Sequence, residues 1–103
     1  MTRTVFVVNH REQDMKPAEK FGKILVLVEG KANIFGVDKV LGELKIKLKD
    51  SRPEDYVMLC GSLLLNSLVT GLWVVKHPKL KLLMWDFRTS SYVERILDQG
   101  DFQ

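Results

Sequence analysis

Tyr56-Val57-Met58-Leu59-Cys60 runs into Gly61-Ser62, and a nearly uncharged stretch from Leu63 to Val75 follows before Lys76. Two readings compete for it. Residues 57–75 are nineteen consecutive uncharged positions, close to the ~20 apolar residues that span a bilayer. Gly61-Ser62, however, divides a strand-like half from a helix-like half, and Asn66, Ser67 and Thr70 would leave polar groups at mid-membrane depth. The other apolar segments of the chain also need this one as their core. The stretch therefore reads as a strand over 56–60 and a helix over roughly 62–76 that ends near Pro78, with no membrane span.

Toward the N-terminus, Thr4 to Val8 form a β-branched and aromatic run that stops at Asn9-His10, and Ile24 to Val28 form a second that stops at Glu29-Gly30. Between them, Pro17-Ala18-Glu19-Lys20-Phe21-Gly22 has proline early and glycine last, the asymmetry of a short helix. A loop over 31–36 leads to Val37, Val40, Leu41, Leu44 and Leu48, one stripe at 100° per residue, which predicts an amphipathic helix over 37–49. Lys39, Glu43 and Lys47 fall on its solvent side. Toward the C-terminus, Leu80 to Trp85 read as a fourth strand, Arg88 to Ser91 as a turn, and Tyr92 to Leu97 as an antiparallel edge strand. Asp98 to Gln103 read as a polar tail that frays.

Alternating strands and helices produce a mostly parallel sheet with helices on both faces. The fold class is α/β: a small three-layer, flavodoxin-like or Rossmann-like domain over 1–103, with the first strand between the second and third and a C-terminal antiparallel hairpin strand. At 103 residues and 46% hydrophobic content the chain is one domain that builds its own core. Its single cysteine, Cys60, cannot pair within the chain, which fits a reducing compartment. Met1-Thr2-Arg3-Thr4 opens directly into a strand without a secretory pattern, so a cytoplasmic location is expected.

Several segments together resemble small accessory proteins encoded by tailed phages. They are Val7-Val8-Asn9, Pro17 to Gly22, the strand ending Glu29-Gly30, Glu54-Asp55-Tyr56 entering the third strand, and Leu82-Leu83-Met84-Trp85-Asp86 in the fourth. The resemblance implies a viral accessory protein working in the host cytoplasm. It brings no activity that can be assigned to a residue.

Ligands of open parallel sheets bind outside the carboxyl ends of the strands, where the strand order reverses. The strand ends here are Asn9-His10, Glu29-Gly30, Gly61-Ser62 and Trp85-Asp86. Asn9, His10, Gly61, Ser62, Asn66 and Asp86 are therefore the candidate ligand-binding residues, against the plainer reading that strands simply end in polar residues and glycine. Were the protein an enzyme, His10 would be its base or acid and Glu29 or Asp86 the carboxylate partner. Gly61-Ser62 opens a helix but lacks the lysine and glycines of a phosphate loop, so Ser62 reads first as an N-cap. Cys60, in an apolar strand, reads as an inert buried thiol. His10 and His77 fall at opposite ends of the sheet, so neither a metal nor a cofactor is predicted.

Net charge is +3. Lys76-His77-Pro78-Lys79-Leu80-Lys81, with Lys45, Lys47 and Lys49, is the best basic patch, but it lacks the interleaved aromatics of a single-strand binder and argues against nucleic acid as partner. In the 62–76 helix, Leu64, Leu65, Leu68, Val69, Leu72 and Val75 are expected to cover the sheet. Leu63, Asn66, Ser67, Thr70, Trp73 and Val74 are left as a charge-free outer face, which predicts a two-fold homodimer. The function expected first is non-enzymatic binding of a host protein or small-molecule ligand. A small enzyme or nucleotide binder centred on His10 comes second, and a basic nucleic-acid module third.

Overall fold

A computed structural model describes residues 2–32 and 36–103; residues 1 and 33–35 lie outside it, and with them the middle of the loop read over 31–36. The elements in chain order are β1 (Thr4–His10), a 3-10 helix (Lys16–Phe21), β2 (Lys23–Glu29), α1 (Val37–Lys47), β3 (Tyr56–Met58), α2 (Leu63–Lys76), β4 (Lys79–Asp86), β5 (Ser91–Asp98) and a final 3-10 turn (Gln99–Phe102). The tail read as fraying carries that last turn, in which Asp98 and Asp101 cap each other's backbone.

The five strands form one sheet in the order β2-β1-β3-β4-β5. The first four are parallel and β5 returns antiparallel to β4, with Trp85 opposite Tyr92. From β1 the chain steps one way to β2, then back past β1 to β3 and on to β4. Right-handed crossovers put connections of opposite direction on opposite faces. The contacts agree: Leu44 of α1 and Leu65, Val69 and Trp73 of α2 share a core with Phe6, Val8, Leu27, Val57 and Leu80. Ala18 of the first 3-10 helix packs instead with Val5, Val7, Tyr56, Met58, Leu83 and Tyr92. Helices were expected on both faces. Both α-helices lie on one, because the connection between β1 and β2 is too short for more than the Lys16–Phe21 turn.

The orientation of α2 is a second correction. Its buried residues are Leu65, Val69 and Trp73, so the helix is rotated from the predicted phase. Trp73, expected on the outer face, is 1% exposed. It packs edge-on against Phe6 with ring centroids 5.7 Å apart, and its indole N–H donates to the Lys79 carbonyl at 2.9 Å. A helix apolar nearly all round has little hydrophobic asymmetry to set its phase, and the largest ring, with one polar handle to satisfy, decides it. The outer stripe is Leu63, Ser67, Gly71 and Val75, of which Leu63 and Val75 are 86% and 87% exposed. Asn66, also expected outward as an interface residue, is half-buried and turned to the end of β3, while Thr70 and Val74 flank the stripe at intermediate exposure. Ser67 and Thr70 return their hydroxyls to carbonyls one turn back.

The basic segment is dispersed. Lys76 donates its ammonium to the Leu48 and Lys49 carbonyls beyond the C-terminus of α1. Lys81 is buried over the Tyr56 ring at 4.2 Å. His77 is buried against Trp73, with ring centroids 4.7 Å apart. Ser51 Oγ donates to the Leu48 carbonyl at 2.6 Å and so accepts from His77 Nε2 at 2.9 Å. Burial and the nearby Lys76 charge push the His77 pKa below its ordinary value, which keeps it neutral. Among the described residues, no helix is long and apolar enough to cross a membrane.

Candidate functional site

The structure does bring Asn9, Gly61, Ser62 and Asn66 together at the carboxyl edge. Asn9 is fully buried. Its Nδ2 donates to the carbonyls of Val28 (3.2 Å) and Gly30 (2.8 Å), and its Oδ1 accepts from the Ser62 backbone N–H at 2.9 Å. One amide thus ties the end of β1 to the ends of β2 and β3. Gly61 sits at φ +75 and presses on that amide so closely that an added β carbon would run into the Asn9 side chain. Asn66 accepts from the Cys60 N–H and donates to the carbonyls of Cys60 and Ser62. Ser62 caps α2 by accepting from the Leu65 N–H. The residues read as a ligand rim satisfy one another, and the crevice between β1 and β3 is filled by Asn9.

His10 stands beside this knot and pairs with Glu29 as foreseen, Nδ1 to Oε2 at 2.9 Å. Its Nε2 faces the Gln13 carbonyl at 3.1 Å. Both ring nitrogens therefore meet acceptors, and only the doubly protonated ring donates to both. The Glu29 hydrogen bond accordingly raises the His10 pKa above its ordinary value. Such a ring clamps the ends of β1 and β2 together. Asp86 does not join it: β3 separates β4 from β1. Asp86 instead accepts from the Arg88 backbone N–H at 2.9 Å and pairs with the Arg88 guanidinium at 3.3 Å, organising the β4–β5 turn. That pairing lowers its pKa. Among the described residues, no three His, Cys, Asp or Glu side chains are grouped to hold a metal.

An open cleft lies one step along the edge, on the face that α1 and α2 leave uncovered. This cleft of about 410 Å³ is lined by Gln13 and Asp14 from the loop after β1, Met58, Leu59 and Cys60 at the end of β3, Trp85 and Phe87 at the end of β4, and Tyr92 of β5. This loop and the end of β3 are the parts that flank the point where the strand order reverses. Trp85 and Tyr92 form two walls at 68°, with ring centroids 4.9 Å apart. Phe87, first residue of the turn, is 86% exposed at the mouth. The Tyr92 hydroxyl donates to the Asp14 carbonyl at 3.5 Å. Burial, with the Asp14 charge beside it, raises the Tyr92 pKa, and burial raises that of Cys60. The thiol, read from the sequence as buried and inert, is instead half-buried and lines the cleft, because the strand ends at Met58 and leaves Cys60 at the open edge.

Sequence reasoning weighed Trp85 only as a strand end and passed over Gln13, Asp14, Phe87 and Tyr92. A signal was available: Trp85 and Phe87 flank the last strand residue, and a four-residue turn brings Tyr92 back opposite Trp85.

A mostly parallel five-stranded α/β sheet with an antiparallel last strand and an aromatic cleft at its carboxyl edge defines the class. Over residues 3–99 the chain matches the model of the Phage Pam3 gp32-like protein family, and it belongs to that family. No curated protein and no solved structure matches it.

Proposed function

We propose that this phage protein is a non-enzymatic accessory factor that works in the host cytoplasm and binds a host component or small ligand through the cleft between β3, β4 and the loop after β1. One observation carries the reading: Trp85 and Phe87 are held partly or wholly in solvent around a cleft of about 410 Å³, a size and lining typical of ligand sites, while the polar groups of the neighbouring rim are already paired. The β2-β1-β3-β4-β5 order supports a flavodoxin-like arrangement in which the fifth strand has reversed and its helix has been lost. The short connection from β1 to β2, which carries only the Lys16–Phe21 turn, is what leaves the cleft uncovered.

Capture from host lysate by tagged wild-type, Phe87→Glu and His10→Ala proteins tests this. The partner or ligand held by the wild type is expected to survive His10→Ala and to be lost with Phe87→Glu. Loss with His10→Ala and retention with Phe87→Glu would return the function to the strand-end histidine.

A second reading, homodimerisation, has its own support. Leu63, Ser67, Gly71 and Val75 recur every fourth residue along the outer face of α2, with no charge before Lys76, and small central residues allow two copies of a helix to cross closely about a two-fold axis. Val75→Arg is expected to turn a dimer into a monomer in light scattering. A wild type that stays monomeric at micromolar concentration removes the dimer.

A further inference from the structure

We infer that the cleft recognises an organic cation, specifically an alkylated ammonium group, held against the Trp85, Tyr92 and Phe87 rings with the Asp14 carboxylate at the rim. This rests on the reading of the cleft as the binding site and names the chemistry of what it holds.

Three features of the lining favour that chemistry. Its three rings come from two strands and a turn, and Trp85 and Tyr92 stand at 68° to each other. The two rings already touch edge to face, with centroids 4.9 Å apart, so a ligand lies against the pair, with the exposed Phe87 ring beside it at the mouth. Ring faces carry the negative end of the aromatic quadrupole and attract cations, most strongly where water is displaced. The second feature is charge. Asp14 is the only ionisable carboxylate in the lining, and Lys and Arg are absent from it. A phosphate or carboxylate ligand would find no counter-charge there and would be repelled by Asp14. Arg88, next to Phe87, is committed to Asp86, and Arg11 and Lys16, each two residues from Gln13 or Asp14, are not part of the lining.

The third is the fixing of Asp14. Its Oδ1 accepts the Lys16 backbone N–H at 3.0 Å, its carbonyl accepts the Tyr92 hydroxyl at 3.5 Å, and the preceding carbonyl, of Gln13, is held by His10. Asp14 is thereby held in the lining before any ligand arrives. The apolar floor of Met58, Leu59 and Cys60 suits the methyl groups of an alkylated ammonium better than a strongly hydrated primary amine.

The probe is choline, set against its uncharged isostere 3,3-dimethylbutan-1-ol, with the two indole N–H resonances followed by NMR. Trp73, sealed in the opposite core, is the internal control for folding. Choline is expected to move the Trp85 indole saturably and leave Trp73 still, with the alcohol at least about tenfold weaker. Asp14→Asn and Phe87→Ala, read at the Trp85 indole, should each weaken choline by a similar factor while the Trp73 resonance stays in place. Equal binding of the alcohol, an unmoved Trp85 resonance, or full affinity in Asp14→Asn would overturn the cation assignment. Should that happen while capture still depends on Phe87, the cleft remains the binding site and only its ligand class is wrong.

Discussion

On one side of the sheet Phe6, Val8, Leu27, Val57 and Leu80 lie beneath two α-helices and Trp73. On the other, Val5, Val7, Tyr56, Met58 and Leu83 share their cover between a 3-10 helix and Tyr92. The difference follows from chain direction and connection length. Two crossovers run the same way along the sheet and both carry full helices, whereas the single reversed one has room only for Lys16–Phe21. A face covered by whole helices can spend its residues on packing. A face covered by one short turn must leave an end open, and in this chain that end carries exposed aromatics. The same division applies along the carboxyl edge: the Asn9 knot holds strands together, and the cleft beside it is free to bind.

If this division of roles is right, changes on the two sides should separate stability from binding. Trp73→Ala, which removes the ring packed on Phe6 and the indole bond to Lys79, should cost about 3–5 kcal/mol, read as a large drop in the urea midpoint. A loss under about 1 kcal/mol would mean that the helix-covered face is not the main core. Asn9→Ala strands the Val28 and Gly30 carbonyls and the Ser62 N–H, at about 2–3 kcal/mol. Gly61→Ala should cost about as much, through its clash with Asn9 and its positive φ. Either substitution tolerated without loss would reopen the rim as a ligand site.

The two histidines sharpen the comparison through pH. His77 has a folded-state pKa below the ordinary 6.5, so the unfolded chain binds more protons in that window and stability falls as pH drops below about 6.5. His10 is raised above 6.5, so its contribution is fully present below that value and fades as pH rises through the folded-state pKa. The two slopes oppose each other. Urea midpoints between pH 5 and 8 should therefore show steeper acid destabilisation in His10→Ala than in wild type, and shallower in His77→Phe. Matching profiles in all three proteins would refute the assignment. The smallest expected effect on stability is that of Phe87→Ala, within about 0.5 kcal/mol of wild type, although it should abolish capture. A large loss of stability there would make Phe87 structural.

Much of this was legible in the residues. Apolar runs bounded by Asn9-His10, Glu29-Gly30 and Gly61-Ser62 located the parallel strands, and their alternation with helical patterns implied β1 between β2 and β3. For His10 the residues offered Glu29 or Asp86 as partner, and the adjacency of β1 and β2 selects Glu29. The rotation of α2 did not, because Leu63 to Val75 offers apolar residues in every direction and only the tertiary fit of Trp73 against Phe6 selects one. Asp86 looked available until its partner two residues on, Arg88, was seen to hold it. The cleft was hidden for a different reason: Gln13, Cys60, Trp85 and Tyr92 come from four separate segments, and only the register of β4 with β5 and the path of the loop after β1 bring them together.

Alkylation of Cys60 by iodoacetamide across a urea series tests the open face most directly, since this sole thiol lines the cleft. With the cleft open in the folded protein, the rate should stay flat through the native baseline and rise with pH as the thiol ionises. A rate that is negligible in the native protein and climbs only with the fraction unfolded would show that the face is closed, and would contradict the account.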